Sequence, residues 1–567
     1  MFILLVTSML TMALQIQPVR ASETIYIRAD GSIDPPTAPI STVDNVTYIL
    51  TGNISSDADG IVVERSNIII DGDGCTISGT GTENGFYVSG ITNVTIKNTN
   101  IKSFLWGIRL YVSSNSSIFG NNITANNSYG ILLESSSFNS IFGNNITANK
   151  NEGIVVSSYS EFNSIFENNI TNSDDGIRLD GSSYNSILRN MFSQDGLTVS
   201  NSYGNVVLEN FVNDKPLVYL EDVSGFTIED AGQVILVNCI GITVENLNLS
   251  NTSIGIQLLK TNNTKISGNN ITANNYSGIM VDKSSYNSIS GNNITANNRE
   301  GIMLEWSSNN SIFENSIRNS EGGINLYVSS NNTISGNSIT NSDEGIWLAY
   351  SCYYNSIVGN NITANNYEGI WLYNRANNNS ISGNNITANA RAGITLGWGS
   401  NNSIFENSIT DNDYGVYIYG SSNSCIYHND FIDNAAQVYS SSDSANVWDD
   451  GYPSGGNFWS DYDGVDLFSD PYQNMTGSDG IGDTPYIIDA NNTDRYPLIN
   501  LYFARARLLG DVNDDGKVNV RDVMVAVQAF NSFQGQPRWN VAADLDNSGR
   551  VDMRDLVIIV LNFNKHE

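Results

Sequence analysis

The sequence predicts an all-β fold, a right-handed parallel β-helix of about 22–24 residues per coil, followed by a small α-helical module built on two calcium loops. Three observations carry this reading. A phrase of the form GNNITAN returns at a short, steady period, an aromatic and Asp-rich stretch begins where the repeat stops, and an oxygen-rich loop occurs twice near the C-terminus.

The isoleucine of the phrase, or its equivalent, falls at Ile123, Ile146 and Ile170, then at Ile271, Ile294, Ile317, Ile339, Ile362, Ile386 and Ile409, with gaps of 22 to 24 residues inside each block. So short a period marks a solenoid in which each coil buries its apolar face against the next. Helical repeats need longer units with Ala- and Leu-rich faces, whereas these units use Ile, Val, Asn, Ser and Gly, the residues of strands and turns. Each reads Gly-Ile-x-Leu, a Ser/Asn turn, Asn-Ser-Ile, Asn-Asn-Ile-Thr and an Asn turn, which makes three short strands per coil. Alternation along the first strand turns Ile346 and Leu348 inward and Trp347 outward. The phase holds from Ile101 to Phe431, roughly fifteen coils, or about 70 Å of rod at about 4.8 Å per coil. Residues 197–250 depart from the consensus, with Lys215-Pro216 and Thr227-Ile228 in its place, and predict a bulge or loop that interrupts the wall.

The expected organisation is a signal peptide over 1–21, an N-terminal cap with irregular first coils over 22–95, regular coils over 96–440, an aromatic and Asp-rich cap over 441–500, a linker over 501–509 and a calcium module over 510–567. Phe2 to Ile16 is mostly apolar, and Val19 and Ala21 suit cleavage before Ser22. A short N-terminal anchor is the alternative, but the run is brief for a membrane span and no second span follows. The cap exists because an open solenoid end exposes strand edges and core. Its many Asp residues leave open a structural calcium of its own.

Composition narrows the function. With 26 Lys and Arg against 58 Asp and Glu the formal charge is -32, which repels phosphate backbones and excludes nucleic acid as a partner. The same acidity suits divalent cations, hydroxyl-rich ligands or plain solubility. Cys75, Cys239, Cys352 and Cys425 lack CxxC spacing, so the expectation is buried free thiols, with Cys352 and Cys425 about three coils apart and beyond disulfide reach. Two histidines, His428 and His566, starve any His triad, copper site or zincin motif.

The asparagines before the strands have two readings. Sequons at Asn122, Asn145, Asn270 and Asn361 would carry glycans; alternatively the residues stack as hydrogen-bonded ladders between coils, the reading that turn chemistry alone favours. Acidic residues before the coil glycine stack as Glu152 with Asp175 and Glu344 with Glu368, where neighbouring carboxylates raise a pKa, bind a cation or, most commonly, splay into solvent. Ser173-Asp174-Asp175-Gly176 invites comparison with paired catalytic aspartates, yet it fills the same slot as Ser342-Asp343-Glu344-Gly345 and no Gly-His-Gly follows, so no catalytic residue is assigned. The outward position of the Gly-Ile-x-Leu strand runs Met280, Met303, Asn325, Trp347, Trp371, Thr395, Tyr417. Trp347, Trp371, Tyr373 and Tyr417 are the candidate ligand-binding residues, because exposed aromatic rings on a rigid rod match the apolar faces of sugars. Packing against a loop or another molecule is the competing account of the same stripe.

The sharpest motif is Asp511, Asn513, Asp515, Lys517, Asn519 and Asp522, repeated 33 residues later as Asp544, Asp546, Ser548, Arg550, Asp552 and Asp555. Oxygen ligands at loop positions 1, 3, 5, 9 and 12, a backbone carbonyl at position 7 (Lys517, Arg550) and glycine at position 6 are what Ca2+ requires.

Two resemblances follow. The GNNIT coils, with WDDGYPSGGNFWSDYDG and SDGIGDTPYIID, resemble the NosD-type family of secreted β-helix proteins over roughly residues 40 to 500. That family is grouped with carbohydrate-binding proteins and sugar hydrolases and takes its label from an accessory protein of copper-enzyme assembly. Copper delivery needs clustered His, Met or Cys ligands, and none is visible. The paired loops, each ending in Asp and each followed by one helix, resemble type I dockerins, which implies a cohesin-like partner. At loop positions 10 and 11 stand Val520-Arg521 and Met553-Arg554 rather than the Ser-Thr pair common in cellulosomal dockerins, so the partner's identity stays open. The sequence therefore favours a secreted, non-catalytic protein that binds polysaccharide or another glycan, with a polysaccharide lyase or glycoside hydrolase and a copper-assembly accessory as alternatives.

Overall fold

The computed structural model describes residues 24–502, 512, 517–533, 536, 538, 540, 543, 545 and 550–563. The expected signal peptide and most of the expected linker lie outside the described residues. Residues 1–352 and 353–567 form two compact units.

In the first unit each regular coil contributes three strands to three parallel walls, which is the expected right-handed β-helix. The long strands Trp106–Tyr111, Tyr129–Glu134, Glu152–Ser157 and Asp175–Asp180 stack in parallel. Their inward isoleucines pair one to the next as Ile108, Ile131, Ile154 and Ile177. The isoleucines of the repeat phrase do the same: Ile123 pairs with Ile146 and Ile146 with Ile170, and after the irregular stretch Ile271, Ile294, Ile317 and Ile339 form a second column. In the second unit Ile362, Ile386 and Ile409 continue the pattern. All of them are buried. On an outer wall Phe119, Phe142 and Phe166 stack face to face at centroid separations of 4.8 Å.

Close approach between coils explains the glycine that opens each long strand. A Cβ on Gly130 would lie 2.6 Å from the carbonyl oxygen of Gly153 and 2.9 Å from Cγ2 of Ile146, so no side chain fits there.

The asparagines form ladders, as turn chemistry favours. Asn121 Nδ2 donates to Asn144 Oδ1, Asn144 to Asn168, and Asn168 to Asn190, each at 3.0 Å and each buried. A second, exposed ladder uses the sequon residues: Asn145 Nδ2 donates to Asn122 Oδ1 and Asn169 to Asn145, both at 2.9 Å. The inner ladder answers a structural need, because each turn buries backbone groups that have no strand partner. Asn144 also donates to the carbonyls of Ile118 and Phe142.

The irregular stretch does interrupt a wall. The sheet of long strands that begins near the N-terminus ends at Leu197–Ser200, and the long strands Gln233–Val237 and Ile256–Leu259 belong to another sheet. The open edge of Leu197–Ser200 is closed by two glutamine side chains. Gln233 Oε1 accepts from Leu197 N and its Nε2 donates to Leu197 O, while Gln257 makes the same pair of bonds with Val199. An amide side chain thus supplies the donor and acceptor that a strand would have offered.

In the second unit the last coils are closed by the aromatic stretch. Trp459 is buried between Phe431 and Tyr486, stacked on both at 4.4 and 4.3 Å. Its indole N–H donates to Asp494, which also accepts from the backbone N–H of Asn457 and Tyr496. The cap aspartates serve as such internal acceptors: Asp449 pairs with Arg495, and Asp466 and Asp483 each accept from two backbone N–H groups. None of the four cysteines is in a disulfide. Among the described residues no helix is long and apolar enough to cross a membrane.

Candidate functional site

In the second unit the long strands Glu368–Tyr373, Ala392–Gly397, Tyr414–Tyr419 and Ala436–Ser440 stack in parallel. Register places Trp371, Thr395, Tyr417 and Tyr439 in one outward column, with Tyr373, Gly397 and Tyr419 in the next. The flanking inward residues Ile370, Leu372, Ile394, Leu396, Val416 and Ile418 are fully buried, which fixes the backbone under the rings.

The rings join into one surface. Trp371 contacts Tyr373 at 5.3 Å, Tyr373 meets Trp398 at 5.5 Å, and Trp398 meets Tyr419 edge-on at 4.9 Å. Tyr419 then contacts Tyr417 at 5.8 Å, and Tyr417 stacks on Tyr439 at 4.5 Å. Two glycines seat this arrangement. A Cβ on Gly397 would lie 2.4 Å from the Tyr419 ring, and one on Gly420 would lie 2.5 Å from Trp398. At the strand starts Arg391 pairs with the buried Glu368 at 2.6 Å and lies over the Tyr417 ring.

Trp371, Tyr373 and Tyr417 share this surface; Trp347 is half-buried on the strand Glu344–Ala349, in register with Asn325. Thr395 and Asn325 keep the outward register but are buried, so the stripe is a set of interlocked rings rather than an evenly solvated strand face. Sequence reasoning missed Trp398, which at 55 % is the most exposed of the described tryptophans in the second unit. It follows the strand rather than sitting in it, and the flanking Gly397 and Gly399 were its signal.

The C-terminal module holds two helices, α1 (Val520–Ala529) and α2 (Met553–Leu561), joined through the antiparallel pair Ser532–Phe533 and Arg550–Val551. Asn519 and Asp552 cap them in matching capping boxes closed by Asp522 and Asp555. Each closing carboxylate is buried and doubly engaged. Asp522 accepts from Val512 N and Asn519 N, both at 2.7 Å, and Asp555 accepts from Leu545 N at 2.6 Å and Asp552 N at 2.8 Å. One aspartate therefore ties loop positions 2 and 9 to the first helical turn, which the shorter side chain does at N3 of the helix. Lys517 is described and exposed, as is Arg550. Asp511, Asn513, Asp515, Asp544, Asp546 and Ser548 lie outside the described residues.

Glu152 and Asp175 stand in register at the starts of adjacent strands in the first unit. Splaying into solvent was the expected outcome, but they are 9 % and 2 % exposed. Burial, followed by the neighbouring Asp175, pushes the Glu152 carboxyl up to about 7, against the pull of Arg178 at 3.4 Å. Asp175 is likewise raised by burial, although it accepts a hydrogen bond from the Thr198 hydroxyl at 2.6 Å. The column can hold a proton near neutral pH.

The family model described as periplasmic copper-binding protein (NosD) matches residues 38–211 and 303–464, more than half of the chain. A right-handed β-helix region matches 222–362, and a type I dockerin domain matches 509–564. No curated protein matches the chain. Among solved structures, a double mutant of the periplasmic alginate epimerase AlgG is 15 % identical with a TM-score of 0.33, covering 72 % of this chain and 79 % of that one. The A-module of a mannuronan C-5 epimerase from Azotobacter vinelandii is 14 % identical at 0.27, covering 59 % and 86 %. At these values the likenesses carry no functional argument.

Proposed function

The chain belongs to the NosD family of β-helix proteins and ends in a type I dockerin, and from that premise we propose that it is an extracellular glycan-binding protein docked through calcium-loaded loops to a cohesin-like partner. The observation that carries the glycan reading is the joined aromatic surface of Trp371, Tyr373, Trp398, Tyr419, Tyr417 and Tyr439 over four stacked strands. Rings held in place by a buried aliphatic core pay little ordering entropy on binding, and their faces match the C–H faces of sugars.

The docking reading rests on the helices. Val520, Met524 and Val527 are exposed on α1, and Met553, Val557 and Val560 repeat them on α2 at the same 33-residue spacing. At offsets of four and seven these line one stripe per helix, and an uncovered apolar stripe is a docking surface. Calcium fits this module: the donors are hard oxygens, and buried Asp522 and Asp555 already draw each loop to its helix. Asp511, Asn513, Asp515, Asn519 and Asp522 would hold one ion, with the carbonyl of Lys517; Asp544, Asp546, Ser548, Asp552 and Asp555 would hold the other, with the carbonyl of Arg550. Bound calcium supplies charge neutralisation between the carboxylates.

Copper does not fit the described residues. They bring together no three His, Cys, Asp or Glu side chains able to hold a metal, and His428 is stacked on Tyr502 and bonded to the Ser454 carbonyl.

A glycan array probed with the intact protein and with Trp398→Ala and Trp371→Ala tests the proposal. Retention on at least one polysaccharide, lost in both variants at an unchanged melting temperature, is expected. Retention that survives both substitutions would reject the aromatic surface as the binding site.

A further inference from the structure

The interrupted wall of the first unit leaves a cleft of about 450 Å3 beside the glutamine-closed edge. Thr198, Val199, Ser200 and Gln257 form part of its lining, together with residues of the coils on either side. It is braced at two points. Asn275 Nδ2 donates across the break to the carbonyls of Ser173 and Gln194, both at 2.9 Å, and Lys283 Nζ donates to Asn201 Oδ1 at 2.6 Å. The cleft is therefore preformed rather than a gap between mobile loops.

Its lining is unusual for this chain. Arg178, Lys283 and Arg299 all face it, three of only 26 Lys and Arg side chains in a protein of charge -32. Arg178 is engaged by Glu152 and Asp180. Arg299 is not engaged in this way: its guanidinium lies over the Tyr276 ring, 3.9 Å from the centroid, and it makes no ion pair among the described residues. A guanidinium stacked on an aromatic ring keeps its planar fork of donors free for a carboxylate.

The carboxyls of the cleft are mostly satisfied internally. Asp175 accepts from Thr198, and Glu300 accepts from the Ser277 hydroxyl at 2.8 Å. Asp282 differs. It lines the cleft at 7 % exposure, its Oδ2 lies 3.6 Å from Lys283, and its Oδ1 is buried without a hydrogen-bond partner. A buried acceptor left open is costly unless a ligand hydroxyl or N–H completes it. Met280, Met303, Tyr276 and the exposed Trp306 provide apolar faces beside these polar groups.

We propose that this cleft is a binding site for an acidic saccharide, with a uronate-type carboxylate held by Arg299 and Lys283, a hydroxyl donated to Asp282, and ring faces set against Tyr276 and Trp306. The chemistry is specific: a neutral sugar would leave Arg299 unanswered, and a simple anion would leave Asp282 Oδ1 open. The site lies in the first unit and does not depend on the aromatic surface of the second.

Titration calorimetry of the intact protein with trimers of galacturonic, glucuronic, mannuronic and guluronic acid, and with maltotriose, tests this. At least one uronate trimer should bind, maltotriose should not, and affinity should fall as salt is raised. Arg299→Ala, an exposed position that leaves the core intact, should weaken uronate binding by about tenfold or more. Asn145→Ala, in the exposed asparagine ladder and outside both the cleft and the aromatic surface, should leave it unchanged, which ties a loss in Arg299→Ala to the cleft. Failure of all four uronates to bind, equal binding of maltotriose, or an unaltered affinity in Arg299→Ala would overturn the proposal.

Discussion

The side-chain amide of Gln257 closes a ring of two hydrogen bonds on the backbone of Val199, accepting from its N–H at 3.1 Å and donating to its carbonyl at 2.8 Å. Both partners are buried. Replacing Gln257 by Leu keeps the volume but leaves a buried donor and acceptor unmade, at a cost of about 2 kcal/mol or more. The expected result is a lower melting temperature with faster amide exchange at Val199. Exchange unchanged at that residue would show that water substitutes for the amide.

Glu152 gives the first unit a pH dependence of defined sign. Its folded pKa of about 7 lies above its ordinary value, so between those two values the folded state binds more protons than the unfolded one. Stability from this group is therefore full below the ordinary carboxyl range and is lost as pH rises through about 7. Glu152→Gln should stabilise the unit at pH 8 by about 2 kcal/mol and have little effect at pH 4. A variant less stable at pH 8 would mean that the Arg178 pair outweighs desolvation.

The two asparagine ladders should respond differently to truncation. The two N–H groups of the Asn144 amide serve three acceptors, Ile118 O and Asn168 Oδ1, both buried, and the part-buried Phe142 O, and its Oδ1 accepts from the backbone and side chain of Asn121. Asn145 sits one residue later in the exposed ladder. Asn144→Ala should cost about 3 kcal/mol, against about 0.5 kcal/mol or less for Asn145→Ala. Equal losses in urea denaturation would contradict the division between inner and outer ladders.

The coils were legible because their determinants are local and repeated. Ile123, Ile146 and Ile170 announce a column by spacing alone, and Gly130 and its equivalents mark the close approach that the stacked strands require. What sequence does not display is how side chains behave where the repeat breaks. Gln233 and Gln257 read as ordinary polar residues until the unpaired edge at Leu197 and Val199 gives them a role. Arg299 and Asp282 lie in different coils, and only the fold assembles them around one cleft. Trp398 escaped for a related reason: a turn residue has no fixed in-or-out phase, so strand alternation does not show that it joins the rings of Tyr373 and Tyr419.

The dockerin module should be ordered by calcium through Asp522 and Asp555. Each buried carboxylate anchors a loop N–H ten residues upstream, so loop closure and helix capping are one event. In the metal-free state the loop aspartates repel one another, and that repulsion opposes closure. Hydrogen exchange of the intact protein in calcium should therefore show protection in both α1 and α2 that chelator removes, while the coils of either unit stay protected. Asp522→Ala removes the two acceptors at Val512 and Asn519 along with one ligand, so calcium stoichiometry should fall from two to one and protection in α1 should be lost first. Because α1 and α2 pack on a shared core of Val518, Ala526, Val551 and Ile559, part of the protection in α2 should be lost as well. Full protection of both helices in chelator would mean that the capping boxes and this small core suffice without metal, and would remove calcium as the element that orders the module.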